Sequence, residues 1–506
     1  MPADRENAGA DRASPFLLLA IAGFIALWFA VLPTRLFDAD EFEHAHAAWC
    51  VFKGMVPYRD FFEHHTPWYY YLVAPFFRWF RVDESFASAR HFLVFGRGLS
   101  VALALISVAM AAWVGRLWRD RHTGLLAGLL LVAQPVWFEK MVEMRPDVLA
   151  LPLYLASLGL LLRGLATPSA ARAVGWFGAA GLALGGAVMC TQKMLFVLPG
   201  LLSGLALAML LAGRSLSREG GRPPLAGQPL GPRAVIGLLA GFLACIAMPG
   251  FLTWAAFALG HGGTPFFLNN FALNAAWRQR AHQQMLNVLA TSWPVLLLAL
   301  LGCATALSRL VTGQERRNLG SALLACTLGG LVAGIPIVPV AHRQYYLPIL
   351  PIVCLFAAHG LLLLLRAVHG RARVGLCVLA AGGLAILPVR DLGQAFATRN
   401  DAQLARLRYV FDHTRPDDLV MDGWQGTGVF RPHAFYYAFI HVELLPMLSL
   451  PRVSAYLDAL ERGSHRPRLI ALDDNLAALG SRFLRFVHKS YVTDNGFFYL
   501  SKHIPP

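Results

Sequence analysis

The sequence QYYLPILPIVCLFAAHGLLLLL, residues 344–365, contains no Asp, Glu, Lys or Arg over 22 positions. A helix of roughly 20 apolar residues is long enough to cross the hydrocarbon core of a bilayer. The same pattern recurs along the chain and predicts eleven membrane spans, at residues 15–33, 89–115, 122–138, 146–164, 173–190, 193–213, 233–259, 290–309, 319–338, 344–366 and 373–390. The sequence therefore predicts a polytopic α-helical membrane protein.

The composition of the whole chain agrees with this class. Its 506 residues are 57% hydrophobic and 14% charged, whereas soluble domains carry about 25% charged residues. The seven cysteines have neither metal-binding nor disulfide spacing. Disorder, a coiled coil and a secreted disulfide-rich fold are excluded. The net charge of +15 is spread over short loops, so nucleic acid is not expected as a partner.

Arg and Lys are distributed unevenly between alternate loops. With a cytoplasmic N-terminus, the inner loops carry groups such as Arg116, Arg119 and Arg121, whereas the first outer loop is rich in Asp and Glu. Basic residues favour cytoplasmic loops. The excess of Arg over Lys, with abundant Ala, Gly and Leu, is typical of a GC-rich bacterial genome. We therefore predict a multi-pass protein of the bacterial inner membrane whose first span is retained and whose C-terminus is periplasmic.

A change in composition near residue 391 predicts two domains, a transmembrane domain over residues 1–390 and a soluble, outer-facing α/β domain over residues 391–506. Within the second domain the pattern predicts strands at 417–422 and 467–474 and helices at 453–462 and 475–488. A hairpin at 491–501 should turn at Asp494-Asn495-Gly496. This segment has no phosphate-binding loop or nucleophile elbow, so we expect no catalysis from it.

The first outer loop, FDADEFEHAHAAWCVFKGMVPYRDFFEHHTPWYYYLVAPFF (residues 37–77), is too polar to span a membrane and unusually aromatic. Residues 41–52 and 68–80 have helical spacing. Helices rich in Trp, Tyr and Phe favour the membrane interface, so we expect both to lie there. Carboxylates at the start of the first helix, such as Asp40 and Glu41, could simply cap it. Their clustering beyond a span, followed by a His-rich aromatic segment, favours a functional role.

Several residues of the first outer loop match a motif pattern known from a protein family. Asp40-Glu41, then Gly54, Pro57, Tyr58 and Phe61-Phe62-Glu63-His64-His65-Thr66-Pro67-Trp68-Tyr69, resemble the first outer loop of GT-C membrane glycosyltransferases. The most similar branch contains the lipid A aminoarabinose transferase and the protein O-mannosyltransferases. Similar motifs follow in order over residues 15–390, at Glu143-Met144-Arg145-Pro146-Asp147, Thr191-Gln192-Lys193 and Arg343-Gln344-Tyr345-Tyr346-Leu347-Pro348. The family often has Lys-Pro-Pro where this chain has His65-Thr66-Pro67, and His is only partly charged near neutral pH.

The resemblance implies a GT-C catalytic domain that transfers a sugar, with inversion, from a polyprenyl-phosphate donor. The acceptor would be a lipid, a glycan or a protein at the outer face of the membrane. Such a transfer needs a carboxylate to accept the acceptor's proton, and the catalytic candidates are Asp40, then Glu41, and Asp147. The leaving phosphate needs cations or donors, and the candidates are Lys193, Arg343, His64, His65 and Lys53. Candidates for sugar or acceptor binding are Glu63, Tyr58, Tyr345 and Asn270.

Each candidate also has a structural interpretation. Asp147 could cap a helix, and Lys193 and Arg343 could be interfacial anchors. Glu63, His64 and His65 are adjacent in sequence, which supports a divalent metal only weakly, so no metal ligand and no cofactor is assigned. As alternative functions, we considered a transporter or flippase for lipid-linked glycans, a glycan polymerase or ligase, and a non-catalytic assembly protein. Transporters more often place charges near the membrane midplane and show two related halves, and neither feature is visible in the sequence.

Overall fold

The computed structural model describes residues 2–167, 169–219, 232–260, 262–276, 283–312, 319–338, 342–441, 444–493 and 495–502. The first ten α-helices are α1 (Pro2–Val31), α2 (Ala39–Phe52), α3 (Trp68–Val73), α4 (Phe77–Phe80), α5 (Phe86–Trp118), α6 (Arg121–Val132), α7 (Pro135–Met141), α8 (Asp147–Ala166), α9 (Ala170–Cys190) and α10 (Val197–Glu219). The next seven are α11 (Pro232–Leu259), α12 (Gly263–Phe267), α13 (Leu273–Ala276), α14 (Gln283–Val311), α15 (Leu319–Gly334), α16 (Ile349–Ala367) and α17 (Gly370–Ala397).

Eight helices within the described residues are long and apolar enough to cross a membrane. They are Phe86–Trp118, Asp147–Ala166, Ala171–Cys190, Gln192–Leu211, Val235–Leu259, Gln284–Val311, Leu319–Ile337 and Ile349–Ala367. Each coincides with a predicted span. The other three predicted spans are also helical, in α1, α6 and α17, and two of these contain the shorter apolar helices Pro15–Val31 and Arg121–Val132. The helical membrane-protein class is confirmed, while the count of eleven stays a prediction.

Two helix boundaries near the charged residues of the site lie at prolines, Pro135 and Pro146. The predicted span at 122–138 is two helices, because α6 ends at Val132 and Pro135 starts α7 as its first residue. Proline lacks an amide hydrogen and suits the first turn of a helix but not its interior. Pro146 is the residue immediately before α8, which begins at Asp147. The short segment between these breaks carries several of the charged side chains of the site.

Two of the long apolar helices approach each other closely at a point where each has a glycine. Gly200 on α10 faces Gly330 on α15, and a Cβ atom added to either one would overlap the backbone of the other helix. Without a hydrophobic driving force inside a bilayer, helix association depends on such close van der Waals packing. This contact holds α10 in place. A short 3-10 helix over Gln192–Phe196 leads directly into α10 and carries Lys193.

Helix α2 of the first outer loop is buried by protein on all sides, since ten consecutive residues from Glu41 to Cys50 are buried. Some of the residues that bury α2 belong to the C-terminal region, after residue 400. His46 Nδ1 lies 2.9 Å from the carbonyl oxygen of Val429. Gly426, with a φ of +71°, lies so close to Phe42 that a side chain there would overlap its ring. The interfacial position of the outer-loop helices stays a prediction.

The C-terminal region is a small mixed sheet with helices, as expected. Its helices are α18 (Asp401–His413), α19 (Leu450–Glu461), α20 (Asp474–Ala477) and α21 (Ser481–Ser490). Its strands are β1 (Val420–Asp422), β2 (Leu469–Ala471), β3 (Tyr491–Thr493) and β4 (Phe498–Ser501), in the order β1-β2-β4-β3. Strand β2 pairs with β1 in parallel and with β4 antiparallel, and β4 pairs with β3 antiparallel.

Two details of this region differ from the expectation. The predicted helix at 475–488 is divided into α20 and α21, because Gly480 has a φ of +102°, a conformation that does not continue a helix. The predicted domain boundary at residue 390 lies inside α17, which runs on to Ala397. The division into two domains therefore stays a prediction. Of the predicted hairpin turn, Asp494 lies outside the described residues.

Candidate active site

A cavity of about 760 Å³ opens between the first outer loop, the end of α7, the short 3-10 helix before α10 and the C-terminal region. One part of its wall is charged and includes Asp40, Lys193 and Arg343. The lining also contains apolar side chains, among them Leu195, Phe196, Phe271, Ile337 and Val338. A pocket with both surfaces can hold a ligand that carries an anionic group and a hydrocarbon chain.

The start of α2 directs Asp40 to this cavity. Asp38 caps the helix, because its Oδ1 accepts the amide of Asp40 at 3.0 Å, and the side chain of Glu41 accepts the amide of Asp38 at 3.0 Å. This reciprocal arrangement is a capping box, which satisfies amides that have no partner inside the helix. Asp38 and Glu41 therefore carry out the capping, and Asp40, with 25% of its side chain exposed, lines the cavity.

Glu41, the second candidate for the base, lies outside the cavity lining. Both of its oxygens bind Arg97 of α5, at 2.6 and 2.9 Å, and both side chains are fully buried. Arg97 also donates to the carbonyl oxygens of Leu32, Arg35 and Leu36. This pair joins the end of α1, the start of α2 and α5. In this structure Glu41 holds these three elements together through its ion pair with Arg97.

Arg145, in the α7–α8 connection, fixes Asp40 from the opposite side. Its guanidinium donates to Asp40 Oδ2 at 2.7 Å, lies 3.3 Å from Asp147 Oδ2, and also pairs with Glu143. Burial alone lowers the pKa of Arg145, but four nearby carboxylates outweigh it and hold that pKa well above its ordinary value, namely those of Glu143, Asp40, Asp147 and Asp38. The guanidinium is therefore a permanent cation. It joins two of the predicted catalytic carboxylates, Asp40 and Asp147, in one cluster.

Lys193 reaches the cavity from the short helix that precedes α10. Its Nζ lies 2.9 Å from Asp147 Oδ1 and 4.9 Å from the centre of the Tyr345 ring. The side chain is 12% exposed, and both Lys193 and Tyr345 line the cavity. Asp147, at 3% exposure, is buried behind Lys193 and does not line it. Asp147 therefore orients the two cations Lys193 and Arg145.

Arg343 is the second predicted phosphate ligand on the wall. Its Nε donates to Gln284 at 3.1 Å, its Nη1 pairs with Glu139, and 40% of the side chain is exposed. Lys140 also lines the cavity and lies 2.9 Å from Asp38. Burial by itself raises the pKa of Asp38, but Lys140 and Arg145 outweigh it and hold that pKa below its usual value. Lys140 was not predicted as a site residue, because nothing in the sequence pairs it with Asp38.

The predicted histidines are brought together with two carboxylates. His64, His65 and Glu43 line the cavity, and Glu63 lies behind them at 1% exposure. Burial, with the nearby charge of Glu63, raises the pKa of Glu43 well above its usual value. Burial and neighbouring cationic groups lower the pKa of His64 well below its usual value, so this imidazole is neutral. His64 is therefore not the fixed cation that a phosphate ligand would require.

The remaining predicted residues divide between the cavity and its surroundings. Asn270, at the turn after α12, lines the cavity. Tyr58 is buried outside the lining and donates its hydroxyl to the carbonyl oxygen of His65 at 2.7 Å, which makes it a support for the loop. Lys53, at the end of α2, is paired with Asp83 and is 38% exposed, also outside the lining.

The C-terminal region contributes two side chains to the cavity wall that were not predicted from the sequence. Trp424, two residues after β1, and His441 line the cavity, and their ring centres lie 5.0 Å apart. Their positions follow from the burial of α2 by the segment after β1, a long-range contact that no local pattern reveals. The expectation that this region carries out no catalysis stays a prediction, although two of its side chains line the cavity. Gln192 and Asn274 also line the cavity, and both donate to the carbonyl oxygen of His64.

Comparison with known proteins gives one sequence match and extensive structural similarity. None of the curated proteins matches this chain. Residues 64–220 match the family model of the dolichyl-phosphate-mannose-protein mannosyltransferases. This segment is about a third of the chain and contains His64, His65, Asp147 and Lys193.

Two solved structures illustrate the shared fold. The structure of ArnT from Cupriavidus metallidurans bound to undecaprenyl phosphate is 14% identical, with a TM-score of 0.65 over 97% of this chain and 98% of that one. The archaeal oligosaccharyltransferase AglB from Archaeoglobus fulgidus, in complex with an inhibitory peptide and a dolichol-phosphate, is 11% identical, with a TM-score of 0.56 over 97% of this chain and 75% of that one. The expected resemblance to membrane glycosyltransferases is thereby supported at the level of the fold: the chain shares the fold of ArnT and of AglB.

Proposed function

We propose that this protein is an inverting glycosyltransferase that takes a sugar from a polyprenyl-phosphate donor. One observation carries the proposal: the carboxylate of Asp40 and the cations Lys193 and Arg343 line the same cavity, which also has apolar side chains in its lining. The acceptor is a lipid, a glycan or a protein at the outer face of a bacterial inner membrane. The ligands named for ArnT and AglB, undecaprenyl phosphate and a dolichol-phosphate, support this donor class.

Asp40 is the proposed general base. As the acceptor oxygen forms its bond to the anomeric carbon, the bond from that carbon to the phosphate oxygen breaks on the opposite face. The bonding electrons leave with the phosphate, and the acceptor proton passes to Asp40. Arg145 binds Asp40 through Oδ2 and so orients the carboxylate, leaving Oδ1 for the acceptor hydroxyl. General-base assistance of this kind contributes roughly 10²–10⁴-fold to a rate.

Lys193 and Arg343 are the proposed ligands of the donor phosphate. The phosphate gains negative charge as the sugar leaves, and fixed cations in a partly dehydrated cavity stabilise that charge. Both side chains are held by carboxylates, Lys193 by Asp147 and Arg343 by Glu139, so they need little reorganisation on binding. The polyprenyl chain fits against the apolar side chains of the lining, such as Leu195, Phe196 and Val338.

The geometry also narrows the list of predicted site residues. Asp147 becomes a positioning residue, since it contacts Lys193 and Arg145 and does not line the cavity. Glu41, Lys53 and Tyr58 leave the proposed site for the structural reasons given above. Tyr345 and Asn270 remain candidates for the sugar or the acceptor, and Trp424 and His441 join them.

A comparison of lipid-linked sugars in two strains tests the proposal. In a deletion strain, mass spectrometry should detect a polyprenyl-phosphate sugar that accumulates and an envelope glycan, lipid or protein that lacks the same sugar. Expression of the intact gene should reverse both changes. Accumulation of a complete glycan on its lipid carrier at the inner face would support a flippase instead. An unchanged set of lipid-linked sugars and surface glycans would contradict the transferase.

A further inference from the structure

Glu139 of α7 lies on the cavity wall beside one of the proposed phosphate ligands. Its Oε2 pairs with Nη1 of Arg343, and its Oε1 lies 3.3 Å from Nζ of Lys140. The side chain of Glu139 is 27% exposed, and all three side chains line the cavity. One carboxylate therefore faces two of the cations that an anionic ligand would meet. Glu139 was not among the residues predicted for the site.

The other proposed phosphate ligand is paired in a different way. Asp147 lies 2.9 Å from Lys193, but it is only 3% exposed and stands behind the lysine, outside the cavity lining. Asp147 can therefore orient Lys193 without lying next to a bound phosphate. Glu139 engages a guanidinium nitrogen of Arg343 at the surface of the cavity itself, where a phosphate oxygen would bind.

Glu139 is a charged carboxylate in this position. Burial by itself raises the pKa of Glu139, but Lys140 and Arg343 outweigh the effect of burial and hold that pKa below its usual value, with a further contribution from Arg35. The negative charge offsets part of the positive charge of Arg343 and Lys140. The pair of Glu139 with Arg343 therefore orients the guanidinium and also limits how strongly it attracts an anion.

The charges of the whole lining agree with this reading of Glu139. Among the residues that the structure describes, the lining contains the cations Lys140, Lys193 and Arg343 and the carboxyl groups of Asp38, Asp40, Glu43 and Glu139. The cations do not outnumber the carboxyl groups. Such a wall suits a ligand with one negative charge better than a ligand with two, because each further negative charge is repelled by the carboxylates.

The proposed reaction changes the charge of the phosphate that these side chains would bind. In the donor, the phosphate is bonded to both the polyprenyl chain and the sugar, and this diester carries one negative charge. When the bond from the anomeric carbon to the phosphate oxygen breaks, that oxygen stays on the phosphate, and the product is a monoester. A phosphate monoester has a second pKa of about 6 and carries a charge of about −1.5 to −2 at pH 7. Lys193 and Arg343 alone would therefore hold the product more tightly than the donor.

We propose that Glu139 is a specificity-determining residue that disfavours the phosphomonoester product relative to the phosphodiester donor. The inference rests on the proposed function, because it takes a polyprenyl phosphate as the leaving group. A carboxylate repels a dianion about twice as strongly as a monoanion at the same position. Glu139 thus keeps Arg343 in place for the donor and at the same time promotes release of the product.

Two probes that differ by one charge test the proposal on the purified full-length protein in detergent. Undecaprenyl phosphate represents the product, and its methyl diester represents the donor without a sugar. In Glu139→Gln the amide oxygen can still accept from Arg343, so the position of the guanidinium is kept and only the charge is lost. At mildly alkaline pH, where the monoester is a dianion, we expect Glu139→Gln to bind the monoester roughly tenfold and the diester roughly threefold more tightly than the parent does.

A second carboxylate provides the matched control. Glu84 forms an exposed pair with Arg81 and lies outside the cavity lining, so Glu84→Gln should bind both probes like the parent. The unfolding temperature of each variant is measured alongside. A variant that fails to fold would lose affinity for the probes, whereas the proposal predicts a gain.

The possible outcomes separate this inference from the proposed function. Equal or weaker binding of both probes by Glu139→Gln would overturn the inference and leave Glu139 as a structural link between α7 and the 3-10 helix over Arg343–Tyr346. An equal gain for the two probes would also overturn it, because the discrimination by charge would be missing. A parent protein that binds neither probe would contradict the proposed donor class itself, and the inference would fall with it.

Discussion

Arg145 donates to Asp40 Oδ2 at 2.7 Å, although the two residues are 105 positions apart in the chain. The guanidinium is 2% exposed and the carboxylate 25%, so the pair extends from the protein interior to the cavity wall. The orientation of Asp40 is therefore fixed by the α7–α8 connection as well as by α2. Since the same guanidinium contacts Asp147, which holds Lys193, the proposed base and the proposed phosphate ligand belong to one charged cluster.

Loss of Lys193 should weaken donor binding. A hydrogen bond to a charged group contributes about 1.5–3 kcal/mol, so Lys193→Ala should bind a polyprenyl phosphate roughly ten- to a hundredfold more weakly than the parent. Lys53→Ala is the matched control, because Lys53 is a lysine of the same outer region that lies outside the cavity. Binding is measured on purified protein. Equal donor affinity in Lys193→Ala and the parent would make Lys193 a structural residue only.

Glu41→Gln should lower stability rather than catalysis alone. Removing one charge of a buried ion pair leaves the other uncompensated and costs about 3–5 kcal/mol. The unfolding temperature in detergent should fall clearly. Glu84→Gln, which breaks an exposed pair with Arg81, should change it much less. If Glu41→Gln kept the parent's stability but lost transfer activity, Glu41 would return as the candidate base.

Trp424 should influence how the cavity holds its sugar or acceptor. An aromatic ring on a cavity wall contributes about 1 kcal/mol of specific contact energy, so Trp424→Ala should lower kcat/KM by roughly fivefold or more. Trp79→Ala replaces a tryptophan that is 73% exposed and should have no such effect. Parent-like kinetics in both variants would remove the C-terminal region from the site.

The predicted orientation places the cavity on the outer side of the membrane. Alkaline phosphatase fused to the C-terminus should be active, and green fluorescent protein fused at the same position should remain dark, because each folds productively on one side only. Fluorescent fusions together with inactive phosphatase fusions would reverse the topology and place the transfer reaction in the cytoplasm.

Hydropathy predicted the fold class well because a membrane span is a local feature of sequence. Charged residues next to an apolar run, such as Lys193 and Arg343, could also be identified as candidates, because their position at the end of a span is likewise visible in the local sequence. Their partners could not, since the pairs of Asp40 with Arg145 and of Glu41 with Arg97 depend on how distant helices pack. The segment after β1 has no periodic pattern, and so Trp424 was not predicted as a cavity residue.

The general base is the most direct point at which to test the account. Asp40→Asn keeps the size of the side chain and its ability to accept from Arg145, but the amide cannot take up a proton at working pH. Mass spectrometry should follow the donor and the modified acceptor in a deletion strain that expresses either the parent or Asp40→Asn at equal levels. We expect the parent to restore the modification, and we expect Asp40→Asn, while still binding donor, to transfer roughly 10²–10⁴-fold more slowly and to leave the polyprenyl-phosphate sugar accumulated. Full restoration by Asp40→Asn would contradict the proposed mechanism.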